Sequence, residues 1–332
     1  MAQNVTTVAA APKEAKHLPF FVEVVVRLIK EKPLGTFGAA IVLVLFLAGI
    51  FAGWPPFADI VGGESTPLLA PHGINEQELS ARLQGPSAKY LLGTDQLGRD
   101  LLSRIIYGAQ ISMVVGLAVP AIQTIMNLLI GGVAAYMGGK VDMVVQRFVD
   151  TVMCFPGLVL MLTVVAITGP GLTQVILLLG ILGGIGGGNR VIRSAVLGVK
   201  QNIYVEASRA VGSSNWYVMV KHILPNVMPV VIIGFTLSMG GAILAEATLS
   251  FLGYGIPPPA PSWGGMLSGQ ARTYMLQAPW MALWPGIALA LVVYGMNMLG
   301  DGLRDVLDPR LRGGLGRYGN TKAKKKKLST TS

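Results

Sequence analysis

The chain is poor in charge, in histidine and in cysteine: charged residues fill 13% of its 332 positions, and it has three histidines and one cysteine. Each shortage removes a class of function. Cys154, being alone, closes no internal disulfide and builds no cysteine-ligated zinc or iron–sulfur centre. It is expected to serve as a small apolar residue within a helix. His17, His72 and His222 fall in three different regions, so no metal site is predicted from their spacing. The phosphate-binding pattern G-x-x-x-x-G-K-[ST] is missing, since Gly138-Gly139-Lys140 runs into Val141, which offers no hydroxyl to magnesium. Some 34 residues of mixed charge precede the first apolar run, with no A-x-A site behind it, so a cleaved leader is not expected.

What is present is apolar length. Hydrophobic residues make up 52% of the chain and its mean hydropathy is +0.59, values that belong to a multi-span membrane protein. A spanning helix needs about 20 apolar residues. Six stretches qualify, at about 35–54, 110–136, 148–168, 173–194, 228–252 and 280–300. Placing the N-terminus inside assigns 21 of the 26 lysines and arginines to inner segments, so both termini are predicted to be cytosolic. The net charge of +10 is then a property of the inner face and calls for no nucleic acid. The tail Lys324-Lys325-Lys326-Lys327 suits anionic lipid headgroups or solvent.

The sequence divides into an N-terminus (1–34), a first span (35–54), an external loop (55–108), a five-span core (109–303) and a basic tail (304–332). Within 18–32, Phe20, Phe21, Val24, Val25, Leu28 and Ile29 alternate with charged residues, which predicts a helix in the inner membrane interface ending at Pro33. A frayed extension of the first span is the competing reading. In the external loop, Gly93 and Gly98 bracket a polar turn, and Asp100 with Arg104 has the i,i+4 spacing of a helical ion pair. Prolines 257, 258, 259 and 261 exclude a regular helix over 257–265, which is expected to form a rigid plug or scoop at the outer mouth. No internal repeat is visible, which weighs against a fold of inverted halves.

The polar island at 200–226 stands out. Glu206 fits the first turn of a short helix, where a carboxylate suits the dipole. Ala207 and Ala210 give that helix a low face, and Gly212 supplies a left-handed closing residue. Ser213 or Ser214 is expected to cap a second helix that exposes Trp216, Tyr217 and Met219 and stops at Pro225. A small-faced helix beside an aromatic one is suited to docking in a partner's groove. An ordinary cytosolic turn is the alternative.

Glu206, Ala207, Gly212, Leu224 and Pro225 fall in register with the EAA motif of ABC-importer permeases, which this loop resembles; Ser208 replaces the second alanine and His222 stands at the isoleucine position. Further blocks resemble the C-type permease of dipeptide, oligopeptide and nickel importers. They are Arg82-Leu83-Gln84, Pro86-Ser87, the run Leu92 to Asp100 with Gly93, Asp95, Gly98 and Arg99, Ser103-Arg104, Leu249 to Gly253, Pro261-Ser262-Trp263-Gly264, Gly300 to Asp305 and Leu307 to Arg310. The resemblance covers about residues 80–315. It implies an all-α membrane protein with six transmembrane helices in the type I ABC importer permease fold, preceded by the interfacial helix. It also implies a prokaryotic inner membrane and three kinds of partner: a homologous second permease forming a heterodimer, two cytosolic ATP-binding subunits that hold ATP and magnesium, and an extracytoplasmic solute-binding protein. In that family the EAA helix seats in a cleft of the ATPase, and ATP-driven dimerisation swings the spans between inward- and outward-open states. The implied role is a transport subunit for dipeptides or oligopeptides, with nickel chelates or other small solutes as alternatives, and not an enzyme.

The fourth span departs from the family, which has Trp and Ala before Arg-x-x-Arg; here the run Gly183 to Asn189 precedes Arg190 and Arg193. Gly180, Gly184 and Gly188 recur every fourth residue, a face for close packing, and a softened, hinge-like span is the other reading. Glu246 lies 17 residues past Pro229, roughly 25 Å along its helix. A carboxylate there predicts an outer gate or pathway contact, or else a helix end at the interface. Asn127 and Asn297 are weaker pathway candidates. A proton-coupled transporter relaying through Glu246 would need paired broken helices and more membrane carboxylates. A membrane hydrolase would need a triad or a metal set, and no such constellation is present.

Overall fold

The computed structural model describes residues 20–58, 63 and 65–307. His17, the Leu18–Pro19 start of the first expected helix, Asp308, Pro309, Arg310 and the lysine tail lie outside the described residues. Helix α1 (Phe20–Glu31) precedes α2 (Pro33–Ile50), with Lys32 between them and Pro33 in the first turn of α2, where its missing N–H costs nothing. A two-residue antiparallel pair, β1 (Gly53–Trp54) with β2 (Thr66–Pro67), follows. Then come α3 (Leu101–Met137), α4 (Gly139–Met153), α5 (Gly157–Thr168), α6 (Leu172–Ile185), α7 (Gly187–Lys200), α8 (Ile203–Ala210), α9 (Asn215–Phe251), α10 (Trp263–Leu267), α11 (Gln270–Tyr274) and α12 (Trp280–Leu307).

Among the described residues, four helices are long and apolar enough to cross a membrane (α2, α3, α9 and α12), or six if each of two bent pairs counts as one span. The bent pairs correct two of the expected spans. What reads as a straight span at 148–168 is α4 and α5, which meet at 83°, because Pro156 follows Phe155 at the break and cannot continue α4. What reads as 173–194 is α6 and α7, bent by 46° at Gly186 inside the glycine run. Cys154 sits exposed at the first of these breaks, not within a helix. The expected span at 110–136 begins nine residues earlier, because Asp100 caps α3: its Oδ2 accepts from Ser103 N (2.8 Å) and Ser103 Oγ (2.6 Å). That role overturns the expected Asp100–Arg104 pair. As a cap, Asp100 turns toward the first N–H groups and away from the helix face, and Arg104 lies 3.8 Å from Asp95.

Helices in lipid gain little from apolar burial against one another, so close packing has to hold them. A Cβ on Gly38 of α2 would stand 2.5 Å from Gly295 O of α12, and one on Gly35 would stand 2.9 Å from Gly302 Cα. At one end of this seam Lys32 Nζ meets Asp305 Oδ2 at 2.6 Å. The 180–184 face packs in the same way on α3, with Gly180 against Ile122 and Gly184 against Met126. Gln123 Nε2 adds a bond to Leu179 O at 3.1 Å. A third seam joins α9 to α10 and α12, around Met239, Ile243, Trp263, Val292 and Met296.

One end of the bundle is closed by residues 53–100 and 252–279. Gly98 has φ +70° and lies so close to Glu78 that a Cβ would stand 1.9 Å from Glu78 O, so the turn admits only glycine there. Glu78 accepts from Tyr90 Oη (2.5 Å), from Ser80 Oγ (3.1 Å) and from Lys89 Nζ. The Lys89, Tyr90 and Ser80 donors together lower its carboxyl from 4.5 to about 2. The segment 257–265 departs from its expectation in part: it is irregular through Pro261, after which Ser262 caps the short helix α10 through Gly265 N at 3.0 Å.

Two outcomes follow. Gly38→Val is expected to cost about 1–3 kcal/mol of stability through overpacking against backbone. Gly241→Ala, whose added methyl meets nothing within 4 Å, is expected to leave the thermal midpoint of the detergent-solubilised chain unchanged. For Glu78 the folded carboxyl is depressed, so its contribution is present above 4.5 and fades as pH falls toward about 2. Hydrogen-exchange protection over residues 78–98 should drop across that window, and in Glu78→Gln it should be low and flat.

Candidate functional site

The 200–226 loop is built as two short helices on one apolar base. Asn202 adopts extended backbone ahead of α8, and Glu206 lies in the first turn. Gly212, at φ +89°, closes α8. Gly212 N donates to Arg209 O (2.9 Å) and Ser213 N to Ser208 O (3.2 Å), the paired bonds of a left-handed helix stop. Of the two candidate serines, Ser214 caps the next helix through Tyr217 N at 3.2 Å. Ser213 instead receives a bond from Ser208 Oγ at 3.0 Å. Pro225 does not stop this helix, contrary to expectation. A wider π-helical turn, Met219–Ile223, precedes it and lets the chain run on to Phe251.

The loop has two faces. Val205, Val218 and Ile223 are buried in a cluster with Ala135, Ile192, Val196 and Val227, so its underside belongs to the core of the spans. On the other face Glu206, Ala207, Gly212 and Pro225 are exposed, as are Ile203 (84%), Val211 (87%) and Trp216 (76%). Ser208, Met219 and Leu224 are half-buried. His222 stands between two rings, 6.1 Å from Tyr204 and 5.8 Å edge-on from Tyr217. An apolar, small-residue surface held rigid from below is what a docking element requires.

At the opposite end the Gly93–Asp100 turn is pinned from within. Asp95 Oδ1 accepts from Leu97 N (2.8 Å) and Arg99 N (3.0 Å), and its Oδ2 accepts from Arg99 Nε (2.6 Å). Trp280 Nε1 donates to Thr94 O at 3.1 Å over Gly93. Trp263 is buried on α3, where its Nε1 donates to Ile105 O at 3.0 Å. A cavity of about 290 Å³ opens here between Asp95, Arg99 and Arg104 on one side and Ser250, Pro257 and Ser262 on the other.

A larger cavity of about 650 Å³ lies toward the loop 200–226 end, lined by Thr124, Asn127, Gly188, Val191, Pro229, Ser238 and Arg304. Asn127 thus lines a cavity, with its Oδ1 buried and without a hydrogen-bond partner among the described residues. Asn297 lies in neither cavity; it is exposed and faces Gly240. Glu246 also lies in neither. It is 1% exposed, accepts from Ser250 Oγ at 2.6 Å and has Ser262 as a second hydrogen-bonding neighbour, so it ties α9 to the α10 cap. Ser250 and Ser262 fall within two of the blocks that carry the family resemblance, whereas Arg209 and Tyr136, which meet beneath the loop, were not singled out in the sequence. Their only sequence signal is an aromatic residue at the end of a span and a basic one opposite it. Among the described residues no cluster of His, Cys, Asp and Glu could hold a metal ion.

Comparison with known proteins places this geometry. The chain is similar to the dipeptide transport system permease protein DppC of Alkalihalophilus pseudofirmus, at 38% identity over 86% of this chain and 88% of that protein. It is 37% identical to the probable D,D-dipeptide transport system permease protein DdpC of Escherichia coli, over 86% and 91%. The glutathione transport system permease protein GsiD of Pectobacterium atrosepticum is 39% identical over 69% and 75%. In three dimensions the chain resembles the inward-facing MetNI methionine ABC transporter, with a TM-score of 0.51 over 62% of this chain and 96% of that one. At 18% identity that likeness speaks for the ABC permease fold alone. Residues 127–313, from the end of α3 through α12, match the family model as well, and the chain belongs to the binding-protein-dependent transport system inner membrane components.

Proposed function

We propose that this chain is one permease subunit of an ATP-driven importer of dipeptides or oligopeptides. The observation that carries the proposal is the two-faced loop: a rigid, exposed apolar surface around Glu206, Ala207 and Trp216, fastened by Val205, Val218 and Ile223 to the core of the spans. The peptide-class cargo rests on the names of the relatives at 37–38% identity across most of both chains. In this reading a homologous permease completes the pathway as a heterodimer and an extracytoplasmic binding protein delivers cargo at the Gly93–Asp100 end. Two cytosolic subunits bind ATP and magnesium and grip the exposed face of the loop. Both termini then face the cytosol, and the 650 Å³ cavity beside Asn127 opens toward the same side.

The chemistry asked of this chain is mechanical. A helix end seated in a cleft moves when the cleft closes, and the motion reaches the cavity only if the loop does not deform. Glu206 contributes its charge at the N-terminal turn of α8, where it complements the dipole and faces the partner.

The test is reconstitution of the chain with its partner permease, ATP-binding subunits and binding protein in vesicles. Accumulation of a radiolabelled dipeptide is expected only with ATP inside the compartment that corresponds to the cytosol. Uptake by the purified chain alone, driven by a proton gradient, would overturn the proposal. In the same vesicles Glu206→Lys is expected to insert normally while losing about tenfold or more of substrate-stimulated ATP hydrolysis, since a cation there opposes the dipole and the cleft. Stimulation at the wild-type level would refute the coupling role.

A further inference from the structure

Beneath the loop, four contacts converge on one residue, Tyr136. Tyr136 is buried in the last turn of α3. Its hydroxyl donates to Asn215 Oδ1, at the start of α9, at 3.0 Å. The guanidinium of Arg209, from α8, lies over its face 5.0 Å from the centroid. Lys200, the last residue of α7, places Nζ 5.7 Å from the same centroid and donates to the Tyr136 carbonyl at 2.6 Å. Arg209 is half-buried, and its Nε is buried without a hydrogen-bond partner among the described residues, so on that side the ring face is the contact the guanidinium makes.

The topology gives this cluster its meaning. Residues 201–214 join α7 to α9 directly, so any displacement of the loop pulls on those two helices through the chain itself. Helix α3 has no such covalent link to the loop. Its connection runs through the apolar cluster of Ala135, Tyr136, Val205 and Val218, which is non-directional and tolerates sliding, and through Tyr136, which fixes register and angle by a hydrogen bond and a stacked cation. Yet α3 supplies Thr124 and Asn127 to the larger cavity and carries the seam against 180–184, so a loop that moved without α3 would leave that wall behind.

We infer that Tyr136 is a positioning residue that, with Arg209, transmits displacement of the 203–225 loop into α3. The inference rests on the proposed function and deepens it: the docking surface receives the force, and the Tyr136–Arg209 stack delivers it to α3, a cavity-lining helix that the loop does not pull on directly.

The readout is peptide transported per ATP hydrolysed, in the complete reconstituted transporter, normalised to the amount of assembled complex. Tyr136→Phe keeps the ring face and is expected to stay within about twofold of wild type. Tyr136→Leu keeps apolar volume but removes ring and hydroxyl, and should lower the ratio about five- to tenfold. Arg209→Gln should fall equally and Arg209→Lys should recover most of the loss. The Tyr136→Leu, Arg209→Gln double variant should be no worse than either single one, because both act through one contact. An unchanged ratio in Tyr136→Leu, or a loss explained wholly by less assembled complex, would show a merely structural residue and overturn the inference. If Tyr136→Leu does not assemble, the Arg209→Gln and Arg209→Lys pair decides on the same terms. Absence of ATP-dependent uptake in the wild-type assembly is a different result: it defeats the functional reading itself, and this inference with it.

Discussion

Backbone-to-backbone approach of helices is the constraint on which the rest of this structure depends. In a bilayer the lipid tails are as apolar as leucine, so helices stay together only where they come close enough for dispersion to accumulate. Gly35 and Gly38 give α2 that approach to α12, and Gly131 gives it to α3 against Asn189 of α7. Gly180 and Gly184 admit the Ile122 and Met126 side chains of α3 close to the backbone of α6. Seams of this kind have no slack. A helix held along one cannot bend within it, so whatever flexibility the bundle has must lie outside the seams. The 83° break at Pro156 lies outside these glycine contacts.

The two ends of the bundle use different interactions. The 53–100 end is held by directional polar contacts: Asp95 wraps its own turn, Trp280 and Trp263 donate to backbone carbonyls across the chain, and Asp100 starts α3. Such contacts fix angle and register at modest gain each. The 200–226 end is held mainly by apolar burial, with ring and cation contacts supplying the orientation. One arrangement suits a rigid cap, and the other a surface that moves as a body with the helices under it.

Much of this was legible in the sequence, and the failures share a cause. The four long spans and the two-helix build of the 200–226 loop followed from hydropathy and from single residues with strong local preferences, such as Gly212. What failed involved competition between two local rules. Asp100 had both a helical partner at i+4 and a capping position, and the cap won because the first-turn N–H groups have no other acceptor. Pro225 had the rule that proline ends helices, but a π-helical turn before it absorbed the fault. Pro156 and the run around Gly186 lay inside apolar stretches long enough to span, so the hydropathy that located those spans also hid their breaks. Tyr136 and Arg209 are 73 positions apart in the sequence, and nothing in local pattern joins residues that far apart.

The Gly186 break interrupts a span that packs on α3 along both of its halves. Gly180, Gly183 and Gly184 lie before the break and are seated on Ile122, Gln123 and Met126 of α3. Gly188, Val191 and Ile192 lie after it and form wall of the 650 Å³ cavity. Helix α7 then runs straight into the loop through Lys200 and is bound to α4 by Arg193, which grips Asp142 with both Nε (2.8 Å) and Nη2 (2.6 Å). Close contact with α3 continues past the break: a Cβ on Gly131 would stand 2.3 Å from Asn189 O, and one on Gly188 would stand 2.6 Å from Asn127 Nδ2. At Gly184 the gap is too small for a methyl group, since an added Cβ would stand 2.4 Å from Met126 Cβ. The same glycine run thus carries close packing against α3 on both sides of residue 186 and a 46° bend between them.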